Sequence, residues 1–291
     1  MRVKLSVRKS FTVIVLAVFV TGGLVSFSAP KKGKEVGVQL YSVRDDMKTD
    51  PKGTIAKLGA MGYKLAEAAG YSNGKFYGME PAAFKAVCDA SGMNFFSSHC
   101  GQNVPDKAGW DACMKWWDTC IAAHKAAGVK YIVQPSMDKV GYESLAGNKR
   151  YCDYFNAVGA KCNAAGIRFG YHNHTQEFKT VEGEIIYDHM LKNTDPAKVM
   201  FEMDLYWITE GGKNPVDYFT KYPGRFELWH VKDYRELGGS DAKMNFKPIF
   251  DNAKKAGMKH YIVEVEEFNG KPMDGMKQSL DLLQNAEYVK K

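Results

Sequence analysis

The sequence predicts an α/β fold: a single-domain (β/α)8 TIM barrel preceded by an N-terminal signal peptide. Three observations carry that reading. Apolar strand-like runs alternate strictly with helix-like segments, which implies a parallel sheet. Eight such pairs fill roughly 260 residues after the leader, the size and count at which a parallel sheet closes on itself. Each strand-like run also ends in a polar side chain, at intervals of roughly 30 residues, as barrel active sites require. A doubly wound open sheet competes, but no GxGxxG follows the first strand. No GxxxxGK followed by Ser or Thr occurs anywhere in the 291 residues.

The leader comes first. MRVKLSVRKS carries four basic residues (Arg2, Lys4, Arg8, Lys9) and no acid, and FTVIVLAVFVTGGLVSF is apolar. Small Ser26 and Ser28 follow at the spacing a signal peptidase reads. The expectation is a signal peptide over 1–28 cleaved after Ser28, a basic linker over 29–35, and a barrel over 36–291. An uncleaved anchor is the alternative, although its apolar run of about 17 residues is short for a membrane span. Cleavage implies an exported protein, periplasmic or secreted, with no stable membrane insertion.

VGVQLYSV then reads as the first strand, and DPKGTIAKLGAMG as a helix with an Asp-Pro start and a stop at Gly62. YKLAEAAG is the second strand, PAAFKAVCDASG a helix with Pro81 in its first turn, and NFFSSHC the third strand. A helix over 108–127 precedes VKYIVQP, and one over 143–165 precedes IRFGYHNH. VMFEMDLYW, RFELWHVKD and HYIVEVEEF complete the strands, with helices expected near 184–193, 214–221, 246–256 and 273–289.

Composition excludes more than it assigns. The formal net charge is +7, and losing the four leader positives leaves about +3, which makes no electrostatic case for nucleic acid. All 6 cysteines lie in the barrel, where an even number permits disulfides in an oxidising compartment. No CxxC or zinc-ribbon spacing occurs, buried free thiols fit equally well, and the cysteines say nothing about function.

Residues two apart on a strand share a face. The polar residues that end the strands are Gln39, Glu67, His99, Gln134, His172, Asp204, His230 and Glu264, and together they would ring the barrel mouth. Singly, each has a plainer reading as a satisfied core residue or a helix cap. Four successive strand ends, however, carry His172, Asp204, His230 and Glu264, groups that are costly to bury unpaired. One divalent cation would satisfy all four. Nitrogen and oxygen donors without thiolate suit Mn²⁺, Co²⁺, Zn²⁺ or Fe²⁺ better than Ca²⁺. His174 then faces the metal's occupant, Asn173 ties down the loop, and Glu177 lies over the mouth.

VGVQLYSVRDDM, YHNHTQEF, FEMDLYWI, LWHVKD and YIVEVEEF, in barrel order, resemble the xylose isomerase-like superfamily, and within it the sugar phosphate isomerase/epimerase group. The resemblance covers essentially the whole chain after the leader. It implies one divalent metal held by Glu, Asp, His and Glu on strands five to eight. Asp204, His230 and Glu264 match, whereas His172 stands in place of the strand-five glutamate. In such epimerases the two glutamates also flank the substrate carbon as the acid/base pair, so this departure weakens a symmetric epimerisation. Trp207 replaces a histidine that contacts substrate in relatives, and an indole favours stacking on a sugar face. Members of the group include isomerases, epimerases, dehydratases and lyases acting on 3-keto-glycosides.

The implied chemistry is proton abstraction next to a carbonyl of a free sugar or keto-glycoside, with Glu264 as base. The acid is His174, Glu177 or His99. Lys232 is expected to bind an oxyanion or hydroxyl, with a salt bridge to Asp233 as the alternative. Gln39, Glu67, His99, Gln134 and Trp207 are the remaining expected substrate contacts. Reprotonation gives isomerisation or epimerisation, while expulsion of a C1 substituent gives β-elimination. A non-catalytic carbohydrate-binding barrel, with Trp207, Trp229 and Tyr206 as platforms, is the reading from another class. A DNA-repair endonuclease would need a three-metal cluster and a basic groove. Oligomeric state is left open.

Overall fold

The computed structural model describes residues 33–290; the expected signal peptide (1–28) and most of the linker (29–35) lie outside the described residues. Eight parallel strands close into one barrel, each hydrogen-bonded to its sequence neighbours and the first to the last. They are β1 (Gly37–Gln39), β2 (Leu65–Ala68), β3 (Asn94–His99), β4 (Tyr131–Gln134), β5 (Arg168–His172), β6 (Val199–Asp204), β7 (Leu228–Val231) and β8 (His260–Val263). The principal helices between and after them are α1 (Pro51–Met61), α2 (Pro81–Ala90), α3 (Trp110–Ala126), α4 (Leu145–Ala164), α5 (Ile186–Asn193), α6 (Pro215–Lys221), α7 (Phe246–Asp251) and α8 (Pro272–Asn285).

Local signals act where the sequence places them. The Asp50 carboxylate accepts the Gly53 N–H at the start of α1, Pro51 occupies its first turn, and Gly62 ends it at φ 118°, a conformation glycine adopts without strain. Two strands stop earlier than their apolar runs. The Gln39 side chain accepts the Tyr41 N–H and turns the chain into a 3-10 helix, Leu40–Val43. Asp204 likewise accepts the Tyr206 and Trp207 amides and starts a short helix, Leu205–Glu210. At both strand ends the polar residue caps the next element as well as facing the barrel.

The barrel interior is layered. Leu65, Phe96, Tyr131, Val133, Met200, Leu228 and Ile262 form a buried apolar floor. Gly170 makes room for it, since a Cβ there would lie 2.3 Å from the Met200 Cε. Between β2 and β3 the register shifts by one residue: Ala66 pairs with Phe95 but Glu67 with Ser97. This bulge lets Phe96 join the floor while Ser97 and His99 also face inward. Phe169, Tyr171, Phe201 and Trp229 on the strands join Trp117 and Phe155 on the helices in the larger core between the two layers.

Candidate active site

Above the apolar floor the interior turns polar and charged. His172, Asp204, His230 and Glu264 each offer a donor atom to one cluster, all within 4.8 Å of one another, and all four residues are buried. Asp204 and His230 are register partners on β6 and β7. Asp204 spends Oδ1 on the Tyr206 and Trp207 amides, which leaves Oδ2 aimed inward, 3.5 Å from His172 Nε2 and without a hydrogen-bond partner. Both ring nitrogens of His172 also lack partners although the residue is buried. Asn173 fastens the two strand ends together: its Oδ1 accepts the Asp204 N–H at 3.1 Å and its Nδ2 donates to the Asp204 carbonyl at 3.3 Å.

Directly beneath, further carboxylates hold the histidines in place. His230 directs Nε2 to Glu67 Oε1 at 2.7 Å and Nδ1 to Glu264 Oε2 at 3.2 Å. Glu67 is held by the Gln39 amide at 2.8 Å and by the Ser97 hydroxyl. Glu202, one inward position below Asp204, accepts from His99 Nε2 at 2.6 Å. A carboxylate bound to the far nitrogen of an imidazole fixes its tautomer and turns the other nitrogen toward a metal.

Electrostatics agree with a cation site. Burial, with His230, His174 and His99 adding, holds the His172 pKa well below the usual imidazole value, so the ring is neutral and able to ligate. Burial pushes Asp204 up to about 7, and Glu264 adds to the rise against Lys232 and His230. Burial would also raise Glu264, but Lys232 and His230 outweigh it and hold that carboxyl well below the carboxylate range. His230 is opposite: burial would lower it, and Glu202 and Glu264 raise it well above the ordinary value. The acids demand a positive charge, which a proton on His230 or a divalent cation would supply. Orphaned nitrogens on His172, an orphaned oxygen on Asp204 and a nitrogen/oxygen donor set therefore fit a divalent metal.

The cluster opens into a cavity of about 430 Å³ lined by Tyr41, His99, His172, His174, Glu264 and Glu266 among others. A second cavity of about 390 Å³ shares His174 and Ser136 with it and is walled by Trp207, Tyr142 and Met137. Lys232 sits 2% exposed between Glu264 (3.3 Å) and Glu266 (2.7 Å), its ammonium 5.3 Å from the Trp207 ring centre.

Residues 55–286 match the model of the xylose isomerase-like TIM barrel family. A sugar phosphate isomerase/epimerase from Parabacteroides distasonis, solved by crystallography, is 36% identical with a TM-score of 0.83, covering 89% of this chain and 100% of that one.

The chain belongs to the xylose isomerase-like TIM barrel family.

Inosose dehydratase from Lacticaseibacillus casei is 26% identical over 128 residues, which covers 36% of this chain and 42% of that protein. A 3-keto-D-glucoside 4-epimerase from E. coli shares the fold, with a TM-score of 0.62 at 14% identity over 87% of this chain and 99% of that one.

Within this family barrel, several expected site residues stand elsewhere than the sequence suggests. Gln134 leaves the ring: Tyr131 and Val133 face the interior, so Gln134 points outward and its amide donates to the Gln102 and Ser136 carbonyls. Gln39 and Glu67 are fully buried, and their polar atoms are spent on each other, Tyr41, Ser97 and His230 rather than turned to the cavity. Glu177 does not face the mouth. It is buried, accepting from the Tyr171 and Tyr142 hydroxyls and from the His174 N–H at 2.8 Å, and so fixes the loop that carries His174. Trp229 is fully buried against Phe219, ring centres 5.0 Å apart, and cannot serve as a sugar platform. Lys232 pairs with Glu264 and Glu266, not Asp233, whose carboxylate accepts the Tyr234, Lys243 and Met244 amides. Sequence reasoning missed Glu202 and Ser97. The alternation in VMFEMD already places Glu202 on the face of Asp204.

Proposed function

We propose that this chain is an exported metal-dependent enzyme that removes a proton next to a carbonyl of a free sugar or keto-glycoside, acting as an isomerase or epimerase. The single observation that carries the reading is Glu264: a carboxylate held ionised by a buried Lys232, at the edge of a four-donor cluster and on the wall of the cavity. His172, Asp204, His230 and Glu264 would hold one divalent cation. Such a cation supplies Lewis acidity to a carbonyl oxygen and a neighbouring hydroxyl.

The protein's own groups do the rest. Glu264 takes the proton from carbon. Lys232 keeps that base ionised and adds positive charge where the enolate oxygen develops. His174 lines both cavities and, once protonated from solvent, returns that proton; burial lowers its pKa and so makes the imidazolium a readier donor. His99 lines the same cavity and is oriented by Glu202. The expected leader favours an extracytoplasmic substrate, for which a free sugar or keto-glycoside is a better candidate than a sugar phosphate. The names of the relatives, an isomerase/epimerase, an epimerase and a dehydratase, support the reaction class.

A second reading is elimination from a 3-keto-glycoside, and His172 favours it. With imidazole in place of the strand-five glutamate, the cluster offers one glutamate and no symmetric pair across the substrate carbon. Glu264 would take the C2 proton, the C1–O bond would break with its electron pair passing to oxygen, and His174 would protonate that oxygen. Incubation of the metal-loaded protein with aldoses, ketoses and 3-keto-glycosides in D₂O, followed by NMR, separates the outcomes. Deuterium next to the carbonyl with the substituent retained supports isomerisation or epimerisation. Release of the substituent assigns elimination, and no exchange with any sugar refutes both.

A further inference from the structure

Behind the wall of the barrel, apart from the cavity, lies a second group of ligating side chains. Cys100 directly follows His99 at the end of β3, and Cys120 and His124 stand one turn apart on α3. All three are buried, and their donor atoms lie within 4.8 Å of one another. The sulfurs are 3.5 Å apart, and Cys100 Sγ is 3.7 Å from His124 Nε2. We propose that Cys100, Cys120 and His124 form a structural zinc site that ties the mouth of the barrel to α3.

The geometry argues for it in three ways. His124 Nδ1 lies 2.7 Å from the Cys120 carbonyl oxygen. A carbonyl only accepts, so Nδ1 carries the proton and Nε2 presents its lone pair toward Cys100. Zn–S bonds of about 2.3 Å and Zn–N bonds of about 2.0–2.1 Å give tetrahedral edges of about 3.8 Å between sulfurs and about 3.5 Å between sulfur and nitrogen. The two separations made by the Cys100 sulfur are within a few tenths of an ångström of these edges, while the Cys120 sulfur lies 3.5 Å from Nδ1 and would turn toward the Nε2 side on binding. Two thiolates balance one divalent cation, so the filled site buries no net charge.

The surroundings are built to exclude water. The rings of Tyr71 and Phe76 stand against His124, each centre 4.8 Å away. Tyr71 stands close enough to Cys120 to act on its thiol, and its hydroxyl offers an oxygen for the fourth position. A disulfide between the two cysteines accounts for these groups less well. It would draw the sulfurs from 3.5 Å to about 2.05 Å. It would also leave Nε2 of the buried His124 facing sulfurs that no longer carry a proton, a costly orphan. Because Cys100 is covalently next to His99, zinc here would anchor a cavity-lining residue without taking part in chemistry.

The test separates the two metal positions. Full-length protein and its Asp204→Ala, Cys100→Ser and Cys120→Ser variants are loaded with zinc, desalted and measured by elemental analysis and X-ray absorption. The expected result is about one zinc with two sulfur neighbours retained in Asp204→Ala and lost from either cysteine variant. Zinc with nitrogen and oxygen neighbours only, no zinc in a folded Asp204→Ala, or a Cys100–Cys120 disulfide in peptide mass mapping overturns the site. Should a variant fail to fold, cobalt added to the wild-type protein decides. A near-ultraviolet thiolate-to-cobalt band supports the site, and its absence overturns it.

Discussion

His230 joins two carboxylates on opposite sides of its ring: Nε2 lies 2.7 Å from Glu67 and Nδ1 lies 3.2 Å from Glu264. Glu67 therefore acts on the four-donor cluster from below, through the imidazole. Glu67→Gln is expected to lower divalent-metal affinity about 10–100-fold while the fold is kept. Calorimetric titration of wild type and variant with Mn²⁺ or Co²⁺ checks this. A raised KM for sugar with unchanged metal affinity would return Glu67 to the substrate-binding role that the sequence suggested.

Metal affinity should fall as the solution becomes acidic. Asp204 is pushed up to about 7 by burial and Glu264, and His230 is raised by Glu202 and Glu264 over the opposing effect of burial. Both must be deprotonated to ligate, so binding releases protons and weakens as pH drops through about 7. Titration in buffers of different ionisation enthalpy measures that release. A pH-independent affinity between 6 and 8 would contradict the assignment of these two ligands.

Glu264→Gln removes the proposed base while keeping its volume. Loss of solvent-deuterium exchange by about 10²–10⁴-fold is expected, the range for one general acid–base group. Metal content, assayed on the same samples, should fall much less than exchange does. Equal losses of both would make Glu264 a ligand only.

Glu177 is a positioning residue. Its carboxylate accepts two tyrosine hydroxyls and the His174 amide, so Glu177→Gln turns an N–H₂ toward donors in a buried site. A loss of about 1–3 kcal/mol of stability is expected, read as a lower Tm, together with reduced turnover. A catalytic acid at 177 would instead cost turnover and leave Tm unchanged.

The barrel was legible because strand and helix runs alternate with clear stops, as at Gly62, and because one polar residue per strand repeats with the βα unit. That rule reached His172, Asp204, His230 and Glu264, whose strands run in regular alternation. It failed at Gln134, where the inward face belongs to Tyr131 and Val133. His99 reaches the interior only through the bulge at Phe96, which no pattern in NFFSSH announces. Glu202 falls outside a rule of one polar residue per strand because the site extends two layers deep. The roles of Gln39, Glu67 and Glu177 depend on which donors they meet across the fold, and spacing does not encode that.

The ring of His172, Asp204, His230 and Glu264 is expected to bind one divalent cation. Mn²⁺ titration followed by electron paramagnetic resonance tests it most directly, because manganese favours nitrogen and oxygen donors over the cysteine pair. The account predicts one tightly bound Mn²⁺ per wild-type chain, retained in Cys120→Ser and lost from an Asp204→Ala variant with unchanged circular dichroism. No binding by the wild type, or equal binding by Asp204→Ala, would contradict it.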